Sequence, residues 1–387
     1  MKQIYLKKGK DESLRRFHPW VFSGAIQRVD DGLEEGDVVR ILTADGEPVA
    51  TGHFQLGSIA VRVLTFTNAD IDDAFWASRL QSALNVREAI GLGSETNTYR
   101  LIHGEGDLLP GLIIDVYGQT AVIQAHSIGM HLARHDIARQ LVHVMGDRVR
   151  HVYYKSEATL SFMDPENGFL YGGSDDNIAM ENGLKFYVDW LRGQKTGFFV
   201  DQRDNRSLLE HYAPGRKVLN MFCYTGGFSV YALRGGAELV HSVDSSAKAI
   251  ELTNRNIALN YPDDQRHKSF CEDAFKFLDG VETPYDLVIL DPPAFAKHRG
   301  ALHNALKGYT RLNQKALQKM PSGGILFSFS CSQVVSKDHF RQAVFTAAAL
   351  ARRKVRILHQ LHQPADHPIN IYHPEGEYLK GLVLYVE

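Results

Sequence analysis

The segment DLVILDPPAF joins an apolar strand to a carboxylate and two consecutive prolines. Residues 287–290 are typical of a strand that is covered on both faces, which brings Asp291 to the edge of a sheet. Pro292 and Pro293 lack N–H groups and keep the backbone extended, so the carbonyls of this turn are available as acceptors. Such acceptors suit the amine of a planar base, and Phe295 could stack on that base. The segment predicts a nucleobase site.

A cysteine follows the next apolar strand, in GGILFSFSCSQVV. Ligands of doubly wound sheets bind beyond the carboxyl ends of the strands, so Cys331 and Asp291 are expected to face one substrate. A thiolate that adds to C6 of cytosine makes C5 nucleophilic enough to take a methyl group, while Asp291 bonds the base. Lys297, Lys337 and a helix that starts near Ser336 could lower the pKa of the thiol. The alternative is that Cys331 is a small packing residue, as we interpret Cys223 and Cys271.

The third feature is the turn CYTGG, residues 223–227, which joins the predicted strand VLNMF to a helix. Such a turn presents backbone N–H groups to a ligand. Asp244 and Ser245 end the next strand, where a carboxylate can accept both hydroxyls of a ribose. Asp273, followed by Ala274, could bond an adenine amine or cap the following helix. Neither G-x-G-x-x-G nor a Lys/Ser pair for a triphosphate is present, which favours S-adenosylmethionine over NAD and ATP. The predicted cofactor site comprises Phe222, Cys223, Tyr224, Thr225, Gly226, Gly227, Asp244, Ser245, Asp273, Ala274, Asp291 and Pro292.

The overall composition excludes several classes of protein. The 43 Lys and Arg residues nearly balance the 45 Asp and Glu residues, so the molecule as a whole does not attract nucleic acid or an anionic membrane. No apolar stretch is long enough to span a membrane and the basic start is unlike a signal peptide, which predicts a cytoplasmic protein without a membrane partner. The three cysteines have no close spacing, and we expect no metal site.

Contacts with RNA are therefore expected from local patches. Six bases and no acid lie between positions 297 and 319, among them Lys297 and Arg299, and we interpret them as a phosphate-binding rim or a solvated helix face. Residues 1–28 carry seven bases and two acids, which indicates a second basic edge. Arg203, in KTGFFVDQRDNR, is a candidate for the methionine part of the cofactor or for an RNA phosphate. The predicted substrate-binding residues are Pro293, Phe295, Lys297, Arg299 and Arg203.

The elements that position these residues fall into three predicted domains. Residues 1–70 read as short strands of a small β-barrel, and 71–189 as a central α+β domain with a helix capped by Asp72. From 190 to 387, strands alternate with helices, which predicts an α/β domain with a parallel sheet covered on both faces. The last two strand candidates, KVRILHQL and LKGLVLYVE, could form an antiparallel hairpin at its edge.

These motifs resemble those of the bacterial large-subunit ribosomal RNA cytosine-5 methyltransferases that carry an N-terminal PUA domain. The similar segments are RRFHPWVFSGAI, LLPGLIIDVYG, KTGFFVDQRDNR, VLNMFCYTGGFSV, DPPAF and FSCS, in that order over nearly the whole chain. The resemblance implies a Rossmann-like class I methyltransferase domain, and formation of 5-methylcytosine in 23S ribosomal RNA. It also implies Cys331 as nucleophile and Asp291 as its partner. Most RNA cytosine-5 methyltransferases have another cysteine beside the Asp-Pro sequence, where this chain has Pro293-Ala294.

Two other functions stay open at this point. The protein could methylate an exocyclic amine or a ring nitrogen of RNA, for which Asp-Pro-Pro and Phe295 suffice without a thiol. It could instead be a non-catalytic RNA-binding assembly factor. Flipping a base costs least when the base is unpaired, so the expected substrate is naked rRNA or an early assembly intermediate. An exposed edge strand could also pair two copies into a homodimer.

Overall fold

The computed structural model describes the whole chain except Asp175 and Lys297. It divides into two compact units that alternate along the sequence. The first unit comprises 1–183, 188–200 and 365–376, and the second comprises 184–187, 201–364 and 377–387. The three domains with boundaries at 70 and 189 stay a prediction.

The first sheet of the first unit confirms the predicted strands of the N-terminal region. Its elements are β1 (Lys2–Leu6), α1 (Glu12–Arg15), β2 (Trp20–Phe22), β3 (Ile26–Val29), β4 (Val38–Leu42), β5 (Pro48–Phe54) and β6 (Ile59–Thr65). The strand order is β2-β6-β5-β4-β1-β3, with only β1 and β4 parallel. Alternate apolar residues such as Ile4, Leu6 and Ile41 are fully buried and form its core.

A second sheet in this unit has its own core. Its strands, with the helices around them, are α2 (Asp73–Ala89), β7 (Thr98–His103), β8 (Leu112–Tyr117), β9 (Thr120–Ala125), α3 (Ile128–Leu132), α4 (Arg134–Met145), β10 (His151–Tyr154) and β11 (Gly168–Tyr171). The last strand of the unit, β12 (Ile178–Glu181), is not part of this sheet. The sheet order is β11-β10-β9-β8-β7. Asp72 caps α2 by accepting a hydrogen bond from the Phe75 N–H group (2.9 Å), as predicted. Two helices follow β9, because Ser127 caps α3 and Ala133 separates it from α4.

Residues 365–376 belong to the first unit although they lie between two strands of the second. The Arg87 guanidinium donates to the carbonyl of Asp366 (2.7 Å) and to the carboxylate of Asp107 (2.8 Å). The Asp366 carboxylate accepts from the backbone N–H of Arg100 (3.0 Å). Since Arg87 and Asp366 are both buried, hydrogen bonds of this kind offset the cost of burying their charges and anchor the segment to α2 and β7.

The second unit is the predicted α/β structure. Its elements are β13 (Leu184–Tyr187), α5 (Arg203–Tyr212), β14 (Lys217–Met221), α6 (Gly227–Arg234), β15 (Leu239–Asp244), α7 (Ala247–Asn260), β16 (His267–Cys271), α8 (Ala274–Gly280), β17 (Leu287–Leu290), α9 (Leu302–Lys319), β18 (Gly324–Ser330), α10 (Lys337–Leu350), β19 (Val355–Leu361) and β20 (Lys380–Val386). The strand order is β16-β15-β14-β17-β18-β20-β19. The first five of these strands are parallel, and β20 is antiparallel to both of its neighbours.

The C-terminal strands differ in one respect from the prediction. They pair in antiparallel fashion at the sheet edge, but the connection between them is not a tight turn, because residues 362–379 separate them. The later strand, β20, lies inside, next to β18, and the earlier strand, β19, forms the edge. This order brings the start of β20 beside the end of β18, where the strand that precedes Cys331 finishes.

Candidate active site

Residues 222–227, between β14 and α6, form the cofactor turn. Phe222 (φ 59°), Tyr224 (φ 47°) and Gly226 (φ 76°) all have left-handed backbone conformations, which are unusual for the two aromatic residues. Two side chains of α7 hold this shape. Thr253 donates to the carbonyl of Tyr224 (2.9 Å), and Asn256 donates to the carbonyl of Thr225 (2.8 Å). The turn is therefore fixed before any ligand binds.

Asp244, at the end of β15, lies beside the cofactor turn. One of its carboxylate oxygens accepts from the N–H group of Tyr224 (3.0 Å) and the other from the N–H group of Ser246 (2.9 Å). Each carboxylate oxygen can accept a further hydrogen bond, so the two hydroxyls of a ribose fit this side chain. Ser245 is exposed next to it. These residues suit the nucleoside part of S-adenosylmethionine, whose bound form supplies an electrophilic methyl group.

Asp273 caps α8, which was one of its two predicted roles. A carboxylate oxygen accepts from the N–H groups of Phe275 (3.0 Å) and Lys276 (3.1 Å), and Ala274 is buried behind it. Its contact with adenine stays a prediction. Cys223 is buried in the cofactor turn, and burial raises the pKa of its thiol to about 12. Cys271 is exposed, so its interpretation as a packing residue is wrong.

Asp291 follows β17 directly and is partly buried. The side-chain amide of Gln202 donates to Asp291 Oδ2 (3.0 Å), and that of Asn205 donates to Gln202 Oε1 (2.6 Å). Because Gln202 and Asn205 are themselves buried, this chain of hydrogen bonds limits the rotation of the carboxylate. Pro292 is buried and Pro293 is exposed at the mouth of the turn.

Cys331 follows β18, the strand next to β17, and is partly exposed. The two serines on either side of it are buried and bonded. Ser330 donates to the Tyr309 hydroxyl (2.9 Å), and Ser332 donates to the carbonyl of Ala296. The second bond connects the Asp291 loop, residues 291–296, to residues 331–336, which we call the nucleophile loop after the predicted role of Cys331. The structure thus brings the two predicted catalytic residues to neighbouring strand ends.

Tyr309, on α9, lies behind both loops. Its ring packs on Phe295 with centroids 4.6 Å apart, so Phe295 is supported from the α9 side. Burial raises the pKa of Tyr309 to about 12; Ser330 opposes this by hydrogen bonding, and the charges of Cys331 and Asp291 raise it further. The tyrosine hydroxyl therefore stays protonated at neutral pH and accepts the hydrogen bond of Ser330 as a neutral group.

A buried lysine beneath the nucleophile loop was not anticipated from the sequence. Lys380 Nζ, at the start of β20, donates to the carbonyls of Ser332 and Val335, both at 2.6 Å. Lys337, one of the predicted sources of positive charge, is instead exposed and paired with Glu377. No local pattern could have indicated Lys380, because it lies 48 residues beyond Ser332 and meets it only through sheet pairing.

The predicted basic rim is only partly available for phosphates. Arg311 stacks on Phe275 (5.0 Å to the ring centroid), Lys315 pairs with Asp279, and Lys319 donates to the carbonyl of Val281 (3.3 Å). These three bases contact α8 and the residue that follows it. Arg299 and Lys307 are exposed nearer the Asp291 loop, and Lys297 lies outside the described residues. Arg203 is 4% exposed, so its burial does not support a contact with RNA phosphate.

Comparisons with known families define the class of protein. Residues 162–371 match the family model of S-adenosylmethionine-dependent methyltransferases, and residues 4–66 match a PUA-like domain. A Streptococcus mutans protein described as a SAM-dependent methyltransferase has the same fold (TM-score 0.84, 22% identity, 99% of this chain and 100% of that one). A solved methyltransferase complexed with SAH is similar to the same degree (TM-score 0.86, 22% identity, 99% and 100% covered). The fold class and the cofactor are those predicted from the sequence.

Curated relatives narrow the assignment further. Ribosomal RNA large subunit methyltransferase I of Alteromonas mediterranea is 39% identical over 393 residues, which cover 99% of this chain and 98% of that protein. The protein of the same name from Tolumonas auensis is 40% identical over 392 residues, with 98% of each covered. The chain belongs to the family of the ribosomal RNA large subunit methyltransferase I proteins. Within the described part of the chain, the helices are all too short or too polar to cross a membrane.

Proposed function

We propose that this protein methylates C5 of a cytosine in 23S ribosomal RNA and that Cys331 forms a covalent adduct with the base. The names of its relatives support a substrate in the RNA of the large ribosomal subunit. The observation that carries the chemistry is the hydrogen bond from Ser332 to the carbonyl of Ala296, which joins the nucleophile loop to the Asp291 loop. A methyltransferase that acts on an amine has no need of a thiol at this position.

The adduct is needed because C5 of cytosine is a poor nucleophile. The Cys331 thiolate adds to C6, a C–S bond forms, and the electrons of the C5–C6 double bond make C5 an enamine carbon. Asp291, held by Gln202, either gives a proton to N3 from its acid form, which offsets the shift of charge into the ring, or accepts a hydrogen bond from the exocyclic amine. C5 in this form takes the methyl group of S-adenosylmethionine, whose sulfur keeps the bonding electrons and leaves as a neutral thioether.

Release of the product requires a proton acceptor. Removal of the C5 proton restores the C5–C6 double bond, the C–S bond breaks, and Cys331 leaves as a thiolate. The acceptor is water or Asp291. Pro293-Ala294 stands where most RNA cytosine-5 methyltransferases have a second cysteine, and the other two thiols of the chain, Cys223 and Cys271, follow different strands. We therefore propose release without a second thiol.

Methyl transfer to total rRNA, followed by mapping of the modified nucleotide, tests the proposal. The wild-type protein should transfer a methyl group to one cytosine, and Cys331→Ala should lower the rate by at least about a thousandfold. Cys271→Ser removes an exposed thiol from another strand end and should keep the full rate. A Cys331→Ser variant with full activity would indicate methylation of an amine or a ring nitrogen instead.

Trapping of the adduct tests the covalent step separately. RNA that contains 5-fluorocytosine cannot lose a proton from C5, so the protein should stay attached to it in a denaturing gel. The attached peptide should contain Cys331, and Cys331→Ala should give no adduct. Absence of both transfer and binding of S-adenosylmethionine by calorimetry would favour an assembly factor without catalytic activity.

A further inference from the structure

We propose that Lys380 is a positioning residue for the nucleophile: its buried ammonium group holds the loop that carries Cys331 and supplies the positive charge that favours the thiolate. This inference rests on the proposed function of Cys331. It assigns a task to a residue of the last strand candidate, LKGLVLYVE, for which the sequence alone predicted no chemical role.

Sheet pairing brings Lys380 under the nucleophile loop. Lys380 is opposite Ser330 in the antiparallel pairing of β18 with β20, and Cys331 is the next residue along the chain. The lysine is 6% exposed. Its ammonium group donates to the carbonyls of Ser332 and Val335, at 2.6 Å each, and so ties together both ends of the four-residue turn behind the cysteine.

Burying the Lys380 ammonium group costs free energy, so packing alone does not explain why a lysine is found at this position. Burying an ammonium group is unfavourable unless acceptors surround it, and an apolar side chain would avoid that cost. An apolar residue would, however, leave the carbonyl of Val335 without its lysine donor, whereas that of Ser332 would keep the hydrogen bond from the Val335 N–H group (3.2 Å). The loop conformation and the buried charge therefore depend on each other.

The charge of Lys380 and that of Cys331 act on each other. Burial lowers the pKa of Lys380 to about 8, while the charges of Cys331 and Glu377 raise it and that of Lys337 lowers it. Because electrostatic coupling is reciprocal, an ammonium group stabilised by the thiolate stabilises the thiolate by the same amount. The charges of Cys331 and Asp291 raise the pKa of Tyr309, which stays neutral, and the negative charge of Asp291 disfavours a thiolate. Lys380 is a buried cation whose charge favours the thiolate at this site.

Alkylation of Cys331 as a function of pH tests this inference without RNA. Iodoacetamide reacts with the thiolate, so its rate reports the fraction ionised. The full-length protein carries Cys271→Ser, and peptide mass spectrometry follows Cys331. In this background the midpoint of the rate should lie below about pH 8.5, the ordinary value for a free thiol. Lys380→Met should slow alkylation at neutral pH by about tenfold, because the midpoint moves up by about one unit.

Lys337→Met is the matched control, because it removes a lysine that is exposed and paired with Glu377. Its alkylation rate should stay within about twofold of the parent, as expected for a screened surface charge. Lys380→Arg keeps the charge and should recover much of the rate, whereas a role in loop packing alone predicts no difference in midpoint between Met and Arg. Thermal unfolding and calorimetric binding of S-adenosylmethionine establish that each variant is folded.

Either of two results would overturn the inference. The first is a folded Lys380→Met protein whose midpoint equals that of the parent. The second, which needs no variant at position 380, is a parent midpoint at or above about pH 8.5. Neither readout involves methyl transfer. A parent with a reactive thiol but no 5-methylcytosine product would therefore count against the proposed function and leave Lys380 as the cause of the reactivity.

Discussion

The cofactor turn and the nucleophile loop lie at the same edge of one sheet, but different parts of the chain stabilise them. The cofactor turn depends on its own backbone, with three left-handed residues, and on two side chains of the single helix α7. The nucleophile loop has no left-handed residue and depends on side chains from α9, β20 and its own serines. One site is held by its own backbone conformation and a single helix, and the other by side chains from several elements.

This difference follows from what each site must do. A cofactor turn presents backbone N–H groups, whose directions are set by φ and ψ, so strain in the backbone is the direct means of control. A nucleophile must present one side chain in one ionisation state. Ionisation depends on charges and dipoles within a few ångströms, and these come from whichever elements the fold brings near.

Removal of the charge of Asp291 should have the largest effect on the rate of methyl transfer. Asp291→Asn keeps the shape of the side chain but cannot offset the shift of electrons into the base, so kcat should fall by about a hundredfold or more while binding of S-adenosylmethionine changes little. Asp286→Asn is the control, because Asp286 bonds the N–H group of Lys217 at the opposite end of the same strand. Equal losses of kcat in both variants would show that Asp291 matters only for stability.

A substitution in the cofactor turn should instead change the affinity for S-adenosylmethionine. A Cβ atom at Gly226 would lie 2.7 Å from Thr253 Cγ2, at a residue with φ of 76°, so Gly226→Ala should weaken binding of S-adenosylmethionine by about tenfold or more. Gly215 has a similar φ of 69° and nothing within 4 Å of its Cβ position. Gly215→Ala should therefore lower stability by about 1 kcal/mol without a change in affinity measured by calorimetry. Unchanged affinity in both variants would contradict the assignment of the turn.

Loss of the Gln202 amide should have a smaller effect on chemistry. Gln202→Leu removes a hydrogen bond to Asp291 and leaves the Asn205 amide without its acceptor, so kcat should drop by about five- to tenfold with KM nearly constant. Gln342→Leu makes the same exchange at an exposed position of α10 and should match the wild type. If KM rose and kcat did not change, Gln202 would be a substrate-binding residue and not a positioning residue.

The smallest expected effect is on stability at acid pH. His267 bonds Ser242 under the cofactor half of the sheet (2.8 Å), and burial, assisted by the charge of His241, lowers its pKa to about 4. The unfolded chain takes up this proton near pH 6.5, so the stabilisation is complete above that value and is lost as the pH falls towards 4. His267 contributes at most about 1.4 kcal/mol per pH unit to the change in the free energy of unfolding.

His267→Gln should therefore reduce the dependence of the free energy of unfolding on pH between 6.5 and 4, as measured by denaturant titration. Other histidines with lowered pKa values, such as the buried His53, remain in both proteins and cancel in the comparison. An identical slope for the variant and the wild type would show that His267 titrates in the folded protein as it does in the unfolded chain.

Local patterns in the sequence were sufficient for one part of this protein. Apolar runs that end in Asp244, Asp291 and Cys331 predicted the strands, their parallel arrangement and the edge at which these residues meet. The comparisons bear out the class of fold and the cofactor. Such features are readable because a strand, a capped helix or a glycine turn is specified by neighbouring residues.

Tertiary structure alone decided the rest. It brought Gln202 to Asp291 and Lys380 to the nucleophile loop, buried Arg203, and turned three bases of α9 towards α8. Each of these outcomes depends on the register and the order of elements that are far apart in sequence, and a polar residue carries no local mark of the partner it will meet. Charges and hydrogen bonds act over a few ångströms, so they are set only once the chain has folded.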